Sequence, residues 1–510
     1  MAFKTGSYLT ATNAGTPVHK RMTLADGSDP QDTLSVVSEV LNYTIDERYD
    51  LNYGVTVEAG PGGIYIQASG RGGTNGELGF IDYIDYNGNL IGKSRQSDLS
   101  ATHKSGYGNE WGWFPSYIGD GLLGVTQRYS SSATNFHMFL EAGSLKPLYK
   151  LTMPSGFTQN ASGTVSTLDY LYGKSGIIVR MLYQAGSTGD RHVAIYHTKQ
   201  AKIGARGYYP QTNTSSNNSP NGFVFAGDTN TTDLLTTHGL RATAGTQKMA
   251  VSIGYGRILI GDYSYDAGGG NTYSGRAYLF DYYGNLIKTL YPPGGAAASL
   301  YFAGYLNIGS GKIFISDQSA QVSTKYNGQV HVYDMNGELE QTITRDLDPI
   351  DDLLTEAPVN QINSFTKSMF GTGIWSEGGV TVIGARRLNS DGDNPLFDYN
   401  DDPMNYDSQG RVLLFTFYDM KGNPWEHNSR NYVRVPLGMS GWGDVMGRSR
   451  RYGNKMVVPI YSSANPPHNP TAGNAGTLDW NVVYTFDVPE TMDGFMESTI
   501  RHLPAIHQGA

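Results

Sequence analysis

The chain has 510 residues, room for several average domains or one large repeat fold, and it contains 65 glycines and 36 tyrosines but no cysteine. Its 37 Lys and Arg against 46 Asp and Glu give a net charge of -9, which excludes a globally basic nucleic-acid binder. The missing cysteine excludes disulfide staples, thiolate catalysis and Cys-ligated zinc or iron–sulfur sites.

Residues 1–50 form an N-terminal segment with a turn signal at Asp29-Pro30. Their start lacks the apolar core of a signal peptide, and no run in the chain reaches the ~18–20 apolar residues that span a bilayer. A soluble chain with no membrane insertion is expected. The stretch 33–45 is a candidate strand that either closes a larger ring or is part of an arm.

From residue 51 one unit recurs. It is a Gly, a short apolar strand, a polar loop, a second strand, and a tight Gly-containing turn. The copies are 63–66 with 80–91, 121–125 with 136–140, 176–179 with 192–196, 256–262 with 275–287, 311–317 with 328–339, 379–385 with 410–423, and 454–458 with 480–487. Between the third and fourth copies, residues 200–240 read as a long surface loop. Asn87-Gly88, Tyr283-Gly284, Asn336-Gly337 and Lys421-Gly422 place Gly where a hairpin turn needs positive φ, so each copy is expected to be an antiparallel sheet of about four strands. A lone small sheet cannot bury both faces, whereas radial stacking of several sheets can. The expected fold is all-β: a seven-bladed β-propeller over 51–510, preceded by the arm or ring-closing segment 1–50. Its blades are placed near 51–105, 106–157, 158–243, 244–298, 299–365, 366–443 and 444–510.

The recurring pattern, and above all Phe370-Gly371 followed by Gly384-Ala385, resembles FG-GAP propeller repeats of the integrin-α type. Arg386 stands where that motif has Pro. In some such repeats the long loop binds Ca²⁺, and the resemblance makes the acidic loop of the sixth copy the candidate here, with Asp391, Asp393, Asp398 and Asp401 as the carboxylates. A solvated acidic loop is the alternative, and no other cofactor is expected.

Other motifs point to structure. Gly441–Gly447 fits G-x-G-x-x-G and Gly309-Ser310-Gly311-Lys312 is similar to part of a phosphate loop, but each leads into a strand rather than a helix. Asp262 and Asp317 occupy equivalent places in neighbouring copies, which speaks for a structural role over glycoside hydrolysis. Aromatic clusters such as 111–114 suit packing between blades, or else protein contact and sugar stacking. No catalytic residues are assigned.

A cysteine-free, Gly- and Tyr-rich, thinly charged propeller resembles tail nozzle and fibre components of tailed bacteriophages. That resemblance implies a non-enzymatic virion protein, assembled in the host cytoplasm and released by lysis. Its partners would be other tail proteins in a multi-copy assembly, or a host-surface glycan or receptor, and not nucleic acid. A carbohydrate-binding or glycoside-cleaving propeller and a secreted FG-GAP adhesin are the alternatives.

Overall fold

Runs rich in Val, Ile, Leu and aromatic residues favour half-buried pleated surfaces, and in the computed structural model they are strands. The structure describes residues 20–22, 34–39, 51–70, 79–95, 110–119, 121–128, 136–151, 157–158, 171–184, 191–198, 223–225, 250–263, 265–271, 273–282, 284–297, 300–318, 321–322, 325–326, 328–344, 370–387, 412–420, 422–423, 432–436, 449–460 and 482–488. No helix occurs among them. The protein is all-β, built from antiparallel sheets of four or five strands in a propeller-like arrangement.

Among the described residues the strands form seven such sheets and one two-stranded ribbon, Gln321–Val322 with Lys325–Tyr326. Sheet one is Leu51–Gly60, Gly63–Gly70, Phe80–Asp85 and Leu90–Arg95 in that spatial order. Sheet two is Glu110–Gly119, Leu122–Arg128, Phe136–Glu141 and Pro147–Leu151. In sheet three, Phe157–Thr158 and Leu171–Lys174 flank one side of Ile177–Gln184, with Arg191–Thr198 and then Phe223–Phe225 on the other. Sheet four is Ala250–Gly254, Arg257–Asp262, Arg276–Asp281 and Leu286–Leu290. Sheet five is Phe302–Gly309, Lys312–Asp317, Gln329–Tyr333 and Leu339–Thr344. Sheet six is Phe370–Glu377, Val380–Arg387, Val412–Asp419 and Tyr432–Pro436. Sheet seven joins Arg450–Tyr452, Lys455–Ile460 and Val482–Asp487 to two N-terminal strands, Leu34–Glu39 and then Lys20–Met22.

The first strand of each sheet lies against the first strand of the next, with Leu171–Lys174 serving for sheet three, and Arg450–Tyr452 returns against Leu51–Gly60. Polar side chains stitch these neighbours by reaching backbone groups that the sheets leave unpaired at their edges. Thr56 Oγ1 accepts from Phe114 N at 3.3 Å, and Ser116 Oγ accepts from Gly173 N at 3.0 Å. Ser252 Oγ accepts from Ile308 N at 2.8 Å, and Asn307 Oδ1 accepts from Ser376 N at 3.0 Å. Trp375 Nε1 donates to Ser449 O at 3.0 Å.

Apolar seams run outward from those contacts. Val57, Ile64 and Phe80 of sheet one pack with Val457 and Val483 of sheet seven. Tyr65 and Ile81 meet Trp111, Leu123 and Met138 of sheet two, Ile177 and Val179 meet Ile258 and Phe280, Leu279 meets Phe302 and Ile315, and Phe314 meets Phe370 and Ile383. Phe415 of sheet six packs tilted against Phe486 of sheet seven, centroids 5.2 Å apart. Burial of one such aromatic side chain is worth about 1.5–3 kcal/mol. The fourth strands are the wet rim: Leu90, Ile91, Ile287 and Leu339 are exposed there.

A short local motif closes the third strand of four sheets. Asp85, Asp281, Asp334 and Asp419 each take a hydrogen bond on Oδ1 from the backbone N–H four residues on, at 2.8–2.9 Å. The glycine one residue before that N–H has positive φ, between 76 and 90°, and donates to the Asp carbonyl. A β-branched residue would hold that φ only under strain.

Candidate functional site

Antiparallel meanders put alternate connections at opposite ends. The first and second strands of every sheet are joined by two residues, as in 61–62, 255–256 and 310–311. The second-to-third and sheet-to-sheet connections, such as 263–275 and 291–301, are longer and share the other end. Long connections on a rigid scaffold are where binding groups are usually displayed.

The best described part of that end lies over sheets four and five. Gly275 opens the third strand of sheet four directly under Phe302, the first residue of sheet five, and bridges to it. A Cβ at Gly275 would stand 2.1 Å from Phe302 O, so only glycine permits the approach. The same contact recurs one sheet on, where a Cβ at Gly328 would stand 2.3 Å from Phe370 O. This clamp brings the loop 263–275 against the linker 291–301, and Tyr301 N donates to Tyr273 O at 2.9 Å. Tyr273 and Tyr301 both hold positive φ, 57 and 54°, a strained setting for a bulky residue.

Five tyrosine rings of these two segments meet in two groups, three rings around Tyr301 and a pair at Tyr265. Tyr301 lies 5.6 Å from Tyr273 and 6.3 Å from Tyr263, and Tyr265 lies 6.1 Å from Tyr291, centroid to centroid. Arg276 stacks its guanidinium 3.9 Å over Tyr265 and pairs with Asp262 at 3.3 Å. Tyr273 and Tyr291 are 39% and 52% exposed. The sequence shows the tyrosines of 263–273 as a loop. It does not show that the linker tyrosine Tyr301 joins them, because that needs the clamp to the next sheet.

Asp262 and Asp317 do occupy equivalent positions, each opposite the first residue of its third strand, Arg276 and Gln329. Asp262 holds Arg276, and Asp317 Oδ2 accepts from Gln329 Nε2 at 3.3 Å with His331 Nε2 4.0 Å away. His331 in turn bonds Thr342 Oγ1 through Nδ1 at 2.9 Å. Each acid is thus engaged within its own sheet. Gly309–Lys312 is a two-residue turn between strands, and its Ser310 Oγ accepts from Gly379 N at 3.1 Å in sheet six. Trp111 is fully buried between sheets one and two. Asp391, Asp393, Asp398, Asp401 and the segment 441–447 lie outside the described residues. Among the described residues no three His, Asp or Glu side chains are grouped to hold a metal ion.

A second polar cluster, not anticipated from the sequence, lies at the tight-turn end of the ring where sheets seven and one meet. Burial pushes the Glu58 carboxyl up to about 7, against the opposing pull of Arg450, the Ala59 N–H and Lys174. Arg450 Nε stands 3.5 Å from Glu58 Oε2. Tyr117 and Tyr452 meet edge to face beside it at 5.9 Å, and Tyr86 donates to Gly60 O at 2.8 Å. The one sequence signal is an acid set between the apolar Val57 and Ala59.

No protein-family model matches this chain, and comparison with curated proteins found no match. Among solved structures it is similar to a prolyl endopeptidase, at 8% identity and a TM-score of 0.38, over 88% of this chain and 50% of that one. The chain thus spans half the length of that enzyme. It is also similar to a europium-containing methanol dehydrogenase, at 11% identity and a TM-score of 0.32, over 93% of this chain and 90% of that one. Likeness at this level carries no argument about activity.

Proposed function

We propose that the chain is a seven-bladed β-propeller whose work is contact rather than catalysis, and that it serves as a tail component of a virion, a nozzle, fibre or adhesion module present in several copies. The observation that carries the contact reading is how the described acids are used. Asp262 and Asp317 are engaged inside their own sheets, and Asp85, Asp281, Asp334 and Asp419 brace turns. Meanwhile the part of the long-connection end over sheets four and five presents exposed tyrosines, Tyr273 and Tyr291. Blade count and closure are supported by the first strands, which touch in an unbroken circuit, and by the N-terminal strand that completes sheet seven. The virion setting is supported by composition: no cysteine, few charges, and abundant Gly and Tyr.

Mass spectrometry of density-purified phage particles tests the setting. The chain should appear in fixed stoichiometry with portal and tail proteins. Its restriction to the unassembled soluble fraction would overturn the virion reading.

A further inference from the structure

We infer that the tyrosine cluster over sheets four and five is a binding platform for uncharged oligosaccharide. The inference rests on the contact reading of the long-connection end and names the ligand class that this end takes.

Three features set the platform apart from ordinary packing. Two of its rings, Tyr273 and Tyr291, keep 39% and 52% of their surface in water. Its geometry is built in beforehand: Tyr273 and Tyr301 are held at positive φ by their mutual backbone hydrogen bond and by the Gly275–Phe302 bridge. Strain of this kind, of order 1–3 kcal/mol per residue, persists only where the surroundings impose it, and it collects at ligand sites. The third feature is its charge. Arg276 is paired with Asp262, and Asp266 Oδ1 caps the backbone N–H of Gly268 at 2.8 Å. No other Asp, Glu, Lys or Arg lies in 263–275 or 291–301.

That chemistry selects the occupant. The one Leu, Ile, Val, Met or Phe in the two stretches is Leu300, which is half-buried, so they offer a hydrophobic protein anchor no aliphatic pocket. With Arg276 paired and Asp266 the single carboxylate in the two stretches, the platform offers a charged partner little complement. It does offer flat apolar faces edged by phenolic hydroxyls, at low conformational-entropy cost. A pyranose ring has the matching surface, an apolar C–H face with hydroxyls at its rim.

Titration calorimetry of the full-length chain with neutral gluco-, galacto- and N-acetylglucosamine oligosaccharides tests this. At least one series should bind, with affinity rising with chain length. Tyr273→Ala and Tyr291→Ala should each weaken that binding about tenfold, or ~1.4 kcal/mol, with unchanged thermal unfolding. Tyr291→Phe, which keeps the ring face, should lose less than Tyr291→Ala. Absence of binding to every series, binding untouched by both alanine variants, or selective binding of a proline-rich peptide in their place would each overturn the proposal. Particles that contain the chain while no sugar binds would sink this inference alone.

Discussion

Glu58 shows how one side chain can set a pH response for a whole seam. In the fold its carboxyl titrates at about 7, whereas the ordinary value is 4.5, because burial disfavours the ionised form more than Arg450 favours it. The native protein therefore holds a proton that the unfolded chain releases between those values. Stability from this group is greatest below about 4.5, falls as pH climbs to about 7, and is level beyond. The full span is on the order of 3 kcal/mol. Glu58→Gln keeps the shape and cannot ionise, and Arg450, 29% exposed, can turn to solvent. Guanidinium unfolding at pH 5 and pH 8 should find the variant close to the parent at pH 5 and more stable at pH 8. Parallel pH profiles for the two proteins would show that the seam does not feel this proton.

The acidic turns carry a different kind of charge. The Glu338 N–H and the Asn336 N–H, each 2.8 Å from Asp334 Oδ1, hold the Asp334 carboxyl below its usual range, so the stability it gives is lost only as pH falls through the acid region. By analogy with capping side chains, Asp334→Ala should cost about 1 kcal/mol. Alanine at Asp85, Asp281, Asp334 and Asp419 together should cost about four times as much, because the turns lie in different sheets and share no partner. Chemical denaturation of the single and quadruple variants checks the sum. A quadruple variant no worse than one single would mean that the turns are incidental. These turns were readable in advance because the N–H groups that brace each aspartate lie within five residues of it, inside one repeat copy. The seams were not. Thr56, Ser116, Ser252 and Asn307 look like routine polar positions in strands until the next sheet brings a backbone N–H within 3.3 Å. The tyrosine platform was hidden for the same reason, since Tyr301 belongs by sequence to the next repeat and reaches Tyr273 only through the Gly275 clamp.

Stacked sheets arranged in a circuit face a problem at the joint between the last and the first, where the chain cannot continue. Here the joint is treated like every other seam, with an apolar cluster of Val57, Ile64 and Phe80 against Val457 and Val483 and an ion pair between Glu58 and Arg450. One device is added. Ser35, Val36, Ser38 and Glu39 pair with Thr485, Tyr484, Val483 and Val482, so a strand from the beginning of the chain completes a sheet made at its end. The contact is highly non-local, and its closure entropy is recovered only when the whole ring has formed. Removing it should therefore weaken all sheets together rather than fray one. Deletion of residues 1–39 exposes the Val482–Asp487 edge and is expected to lower the thermal midpoint by roughly 5 °C or more if the ring melts as a unit. It should also raise self-association, because an unpaired strand edge recruits other strands. Differential scanning calorimetry with light scattering reads both. An unaltered midpoint in a monodisperse truncated protein would show that the C-terminal strands alone complete the seventh sheet and that the circuit does not depend on the N-terminal strand.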